Sequence, residues 1–86
     1  MRELEKILKA LANRRRLAIL QYLKKNKEAN VGGIAREIGL SFKSTSRHLA
    51  ILAALDIVER EQRSAEAFYR LASSEHAIVR HLLVLL

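Results

Sequence analysis

Lys43, Ser44, Ser46 and Arg47 stand within one short stretch and combine two cations with two small hydroxyls. Lysine and arginine can meet phosphate oxygens or the edge of a guanine, and serines are small enough to reach a groove floor. The plainer alternative is that both serines are weak helix formers on an exposed face. Phe42, just ahead of them, can touch a thymine methyl or fold back as an apolar anchor. Arg14, Arg15 and Arg16 form a second cationic run at the start of a helix, where the helix dipole disfavours positive charge. Either an anion binds nearby or the three are solvated on a surface turn. His48 falls on the side of its helix nearer Leu52 and Leu55, which suits a packed, hydrogen-bonded imidazole, with a phosphate contact as the second reading. Thr45 is expected to face the preceding helix and bond a backbone carbonyl.

The same residues offer little for catalysis or metal binding. There is no cysteine, which removes disulfides, thiolate metal sites and thiol nucleophiles. His76 and His81 project about 140° apart on a helix, so one chain cannot chelate with both. Across two chains they could approach, but zinc generally needs further ligands. Ser46 and His48, two residues apart, point away from each other. No glycine-rich phosphate loop is present, nor any evident pair of carboxylates. No enzyme, cofactor or metal effector is expected.

The elements that must position the cations are legible around them. In Ile34–Leu55, Ile34, Ala35 and Ile38 share one helical face, and Gly39 supplies a left-handed closing residue with Leu40 as a buried plug. Ser41 is a good N-cap for a second helix whose apolar stripe is Leu49, Leu52 and Leu55. Two helices joined by a very short glycine-containing turn form a helix-turn-helix, whose second helix can enter the major groove. Upstream, residues 2–12 place Leu4, Ile7, Leu8 and Leu11 on one face of an amphipathic helix. Asn13 caps a helix over 14–25, and Asn30, at the end of a polar connection from Lys24, caps the one beginning near Val31. Asp56 takes a tight position after the recognition helix that glycine would occupy more easily. Ile57-Val58 and Phe68–Leu71 read as two strands flanking a polar stretch, with the tip near Arg63-Ser64-Ala65. Such a hairpin is a wing, and it carries Arg60 and Arg63 toward the backbone or minor groove. Solvated loop charges are the alternative reading for both. Ser73 or Ser74, with Glu75 in the first turn, caps a last helix. Mainly α architecture (α+β) in the order α-α-α-α-β-β-α follows, a single winged helix-turn-helix over residues 1–86.

Composition agrees. The chain has 86 residues, half of them hydrophobic, which is enough for one modest core. A formal net charge of +7 calls for an anionic partner, a property shared by nucleic-acid binders, ribosomal proteins and membrane-surface proteins. The apolar run Leu82–Leu86 is far short of the roughly 20 residues that span a bilayer. Met1 is followed at once by charged residues, which is unlike a signal peptide. A cytoplasmic, nucleoid-associated protein is therefore expected.

Three segments carry a family resemblance. Leu11–Leu20, LANRRRLAIL, is similar to the LADPTRLRIL opening of the arsenic-repressor-like (ArsR/SmtB) winged-helix regulators. Ser46-Arg47-His48-Leu49 with Leu52 resembles their SRHLxxL recognition helix, and Tyr69-Arg70-Leu71 the YRL that ends their wing. The resemblance implies a dimeric, sequence-specific regulator of transcription, usually a repressor. It implies DNA contacts at Phe42, Lys43, Ser44, Ser46 and Arg47, and at Arg60 and Arg63 in the wing. Asn30 and Gly32 stand where metal-sensing members carry the two cysteines of ELCVCEL, so that sensor is missing.

A homodimer on an inverted-repeat operator in duplex DNA is the expected assembly. The last helix offers two apolar stripes, Ile78/Leu82/Leu85 and Val79/Leu83/Leu86, and only one can face its own core. The other, beside Leu4, Ile7, Leu8 and Leu11, is expected to meet a second copy. The competing classes are a winged helix used as a protein-interaction module and an RNA-binding domain.

Overall fold

A computed structural model describes residues 1–86. The chain runs α1 (Arg2–Leu11), α2 (Arg14–Asn26), β1 (Glu28–Asn30), α3 (Val31–Ile38), α4 (Phe42–Ala54), β2 (Val58–Arg63), β3 (Glu66–Leu71) and α5 (Ala77–Leu85). This is the expected winged helix-turn-helix with one addition. The connection before α3 contains a three-residue strand, β1, so the sheet is three-stranded and antiparallel in the order β1-β3-β2.

Local chemistry sets the helix ends. The side-chain oxygen of Asn13 accepts from the Arg16 N–H at 3.1 Å, that of Asn30 from Gly33 at 2.8 Å, and that of Ser41 from Ser44 at 3.1 Å. Each satisfies a backbone donor that has no partner within its helix. Gly39 closes α3 in the left-handed region at φ 65°, and the Leu40 N–H returns to the Ala35 carbonyl at 3.0 Å. Leu40 itself is half-buried rather than sealed in. Asp56 adopts φ 57°, and Ser64 at the hairpin tip φ 54°. The last helix starts later than its serines suggest: Ser74 Oγ accepts from the His76 N–H, and Glu75 precedes the first turn instead of lying in it.

A Cβ at Gly39 would meet nothing within 4 Å, so its only cost is the backbone conformation. Gly39→Ala should therefore destabilise by about 1–2 kcal/mol, lowering Tm by roughly 4 °C or more. A thermal melt that leaves Tm unchanged would show that this turn does not need glycine.

One core unites the elements: Ile7 and Leu11 of α1, Ile19, Leu20 and Leu23 of α2, Ile34 of α3, Leu49 and Leu52 of α4, Ile57, Val58 and Tyr69 of the hairpin, and Val79 of α5. Alternation along the strands then assigns the sheet faces. Val58, Arg60 and Gln62 lie on the face shared with Ala67 and Tyr69, which packs on the helices; Glu59, Glu61 and Arg63 lie on the outer face with Phe68 and Arg70.

The packing corrects part of the expected dimer face. Ile7, Leu11 and Val79 are sealed inside their own protomer, and Leu82, Leu83 and Leu86 are half-buried against the same core. Leu4, Leu8, Ile78, Val84 and Leu85 stay exposed, the last two at 77% and 82%. The stripe of α5 containing Val79, Leu83 and Leu86 is thus the inner one, because it is the one that fits against the protomer core.

Candidate nucleic-acid interface

The recognition helix α4 is split by its 3.6-residue period into two faces. Thr45, Leu49 and Leu52 are buried, whereas Lys43, Arg47 and Ala50 are exposed and Ser44 and Ser46 are half-exposed. Phe42 is 63% exposed, so it does not fold back into the core. It stands with Ser46 on the wall of a cleft of about 490 Å³ between α4, the start of α3 and the hairpin. Arg60 and Gln62 line the opposite side, and the Arg60 guanidinium donates to Gln62 Oε1 at 2.7 Å.

Arg36 also lines this cleft, a cation not singled out from the sequence. It follows Gly32 and Gly33 by four and three residues on the first helix of the motif, and that spacing was the available signal.

Arg63 requires a correction: its guanidinium is already engaged, and on the other face of the sheet. Nη1 and Nη2 donate to the two carboxylate oxygens of Glu28 at 2.7 and 2.9 Å, and Nη2 also donates to Glu61 Oε1 at 3.0 Å. The group stacks 4.6 Å from the centre of the Phe68 ring. Arg70 continues the network to Glu61 at 3.0 Å and Glu59 at 3.1 Å. Hydrogen bonding to Arg63 holds the Glu28 carboxyl below its ordinary value, and hydrogen bonds from Arg63 and then Arg70 do the same for Glu61. Arg63 is correspondingly harder to deprotonate, chiefly through Glu28.

The helix-turn-helix cations are arranged differently. Among the sixteen lysines and arginines, only Lys9, Arg63 and Arg70 lie within 4.0 Å of a carboxylate, so Lys43, Arg47, Arg36 and Arg60 have no internal counter-charge. Arg36 and Arg60 present unneutralised charge at the cleft and Lys43 and Arg47 on the exposed side of α4, where an external anion can meet it.

The flanking polar residues divide. Arg15 donates to the Ile38 carbonyl at 3.2 Å and thereby helps close α3, which gives one cation of the 14–16 run a structural role. His48 is half-buried, but its Nδ1 has no hydrogen-bond partner, contrary to the bonded imidazole expected from the sequence. Burial first, then the charges of Arg16, Arg15 and Arg47, push its pKa down. Thr45 faces inward as expected, yet its hydroxyl bonds no carbonyl. His76 Nε2 sits 3.2 Å from Glu3 Oε1, linking α5 to α1.

The family model for "Bacterial regulatory protein, arsR family" matches residues 13–60, from the cap of α2 into β2 and therefore across the whole helix-turn-helix. This chain belongs to the arsR family. It is 41% identical over 69 residues to the transcriptional activator HlyU of Vibrio cholerae, covering 80% of this chain and 63% of that protein. It is 41% identical over 68 residues to the nodulation protein NolR of Rhizobium meliloti, covering 79% of this chain and 54% of that one. The arsR-family chain thus spans less than two thirds of the length of these curated relatives. In structure, reduced HlyU from Vibrio cholerae matches with a TM-score of 0.81 at 34% identity, over 96% of this chain and 83% of that one. A homodimeric winged helix-turn-helix DNA-binding domain from Mycobacterium bovis, solved by NMR, matches with a TM-score of 0.80 at 32% identity, over 96% and 73%. These likenesses extend the arsR-family fold through β3 and α5, beyond the residues that the family model covers. The family is one of bacterial regulatory proteins.

Proposed function

We propose that this arsR-family protein is a sequence-specific, DNA-binding regulator of transcription that acts as a homodimer in the cytoplasm and represses by occluding a promoter. The observation that carries the reading is the row Lys43, Ser46 and Arg47 on the outer face of α4, free of internal ion pairs and flanked by Arg60 on the inner face of the wing. Cations without partners beside small hydroxyls suit phosphate positioning together with base-edge contacts. Phe42 stands where it can meet a thymine methyl, and Ser44 near the helix start can reach a phosphate. Arg36 adds a cation from α3. Arg63 leaves the set of contacts, because Glu28 and Glu61 already satisfy its guanidinium.

Selection of bound duplexes from a random pool tests the reading and yields the operator. Competition with duplex RNA and single strands should leave binding to the selected DNA intact; equal competition by all three would replace the operator reading with general affinity for polyanions.

Metal ions should not act as the effector. Asn30, at the place of a sensor cysteine, is already used as the cap of α3, and no group of three or more His, Cys, Asp or Glu is placed to hold a metal ion. Zn²⁺, Cd²⁺ and arsenite should leave operator affinity unchanged in a titration. A stoichiometric zinc site lost in His76→Ala or His81→Ala would contradict this.

A further inference from the structure

We propose that Arg63 and Glu28 form a brace that fixes the angle of the wing, so that Arg63 is a positioning residue that never touches nucleic acid. The inference rests on the DNA-binding reading and deepens it. A two-stranded hairpin is marginally stable alone, and this one projects six-residue strands away from the core. Its outer residues Glu59, Glu61 and Arg63 are all exposed, so apolar packing cannot hold the tip in place. What reaches the hairpin from the body of the protein is β1: Glu28, Ala29 and Asn30 pair with Arg70, Tyr69 and Phe68, short of the tip, and the Asn30 side-chain amide donates to Glu66 Oε2 at 2.6 Å beside it. Arg63, the last residue of β2, crosses the full width of the sheet to grip the Glu28 carboxylate with two parallel hydrogen bonds at 2.7 and 2.9 Å.

That geometry has three consequences. A bidentate arginine–carboxylate pair resists rotation as well as separation, unlike an ordinary surface ion pair. The bond spans both outer strands of the sheet, so it limits the hinge between hairpin and body rather than one strand alone. Glu61 and Phe68 hold the same guanidinium from beside and below, at 3.0 Å and 4.6 Å, which limits its rotamer freedom. On the reverse face, the same hairpin carries Arg60 across the cleft from Phe42 and Ser46. Fixing the hinge therefore fixes the distance between Arg60 and the recognition helix.

Substitution at Glu28 separates the brace from a direct contact, because the two ideas demand opposite signs. If Arg63 bound a phosphate, Glu28→Gln would free it and remove a negative charge, so affinity for a selected duplex would rise. The brace requires Glu28→Gln to weaken binding by about three- to tenfold even though the protein becomes more basic. Arg63→Gln should weaken it similarly, the two substitutions together should be no worse than either alone, and the reversed pair Glu28→Arg with Arg63→Glu should recover most of the loss. Arg63→Gln should leave the salt slope unchanged, whereas Arg60→Gln should reduce it by about two in the dimer, roughly one per protomer. Tighter or unchanged binding by Glu28→Gln, or a reduced slope in Arg63→Gln, overturns the brace. Amide exchange of the free protein decides it without DNA: Glu28→Gln should speed exchange at the hairpin tip but not in α2. Unchanged tip exchange overturns the brace even if operator binding holds. Failure of the unmodified protein to bind any duplex overturns the DNA reading instead, and the exchange result still stands.

Discussion

Raising salt from 50 to 200 mM should cost this protein about 10³–10⁵-fold in affinity for its operator, if a dimer neutralises roughly 6–10 phosphates. The cations proposed for that work combine a place on the helix-turn-helix or the wing with the lack of a carboxylate partner: Lys43 and Arg47 on α4, Arg36 on α3 and Arg60 on the wing. Counter-ions condensed on the duplex are released when such groups dock, and added salt opposes that release by mass action. Within this set, Lys43→Ala and Arg47→Ala should each weaken binding by about 1–3 kcal/mol for a residue at a base edge. Both side chains are exposed and outside the core, so the substitutions should leave the melting transition in place. Unchanged affinity in both variants, measured on a selected duplex with the fold intact, would remove α4 from the interface.

Replacing Ile78 and Leu85 with glutamate should give a folded monomer that binds its operator about 10²–10⁴-fold more weakly, the loss expected when two linked half-sites become independent. Leu4, Leu8, Ile78, Val84 and Leu85 leave an apolar surface on α1 and α5, which His76 and Glu3 tie together at 3.2 Å. A second copy related by two-fold symmetry closes such a surface without leaving another open. It would set two recognition helices roughly 34 Å apart, one turn of duplex, so that each reads a half-site. Leu85 is 82% exposed and Ile78 38%, so a glutamate at either can keep its carboxylate in solvent, and a thermal melt tells a loss of association apart from unfolding. Sedimentation at micromolar concentration reads the outcome. An unmodified protein that runs as a monomer, or an operator that proves to be one half-site, would sink the symmetric dimer.

Much of the fold was legible because it is set by contacts a few residues apart. Asn13, Asn30 and Ser41 each accept from the N–H three residues on, Gly39 and Asp56 take left-handed backbone, and all five could be placed from residue type and spacing. The polar groups near the start of α4 were picked out by residue type, by their place after the turn and by the family resemblance, and Lys43 and Arg47 among them are exposed. Long-range pairing was not legible. β1 is three residues without an apolar alternation, and it exists only because Tyr69 and its neighbours, some forty positions later, supply hydrogen-bond partners. Strand parity requires Arg60 and Arg63 to face opposite ways, but it does not say which faces the helices. That choice came from Val58 and Tyr69 entering the core, and from Glu28 arriving on the outer face to claim Arg63. The last helix makes the same point. Two apolar stripes of similar character lie side by side on α5, and sequence alone cannot rank them. Packing against α2 and the rest of the core turned Val79 inward and left Ile78 and Leu85 outside, because burial is decided by the shape of the surface a helix meets and not by its own hydrophobicity.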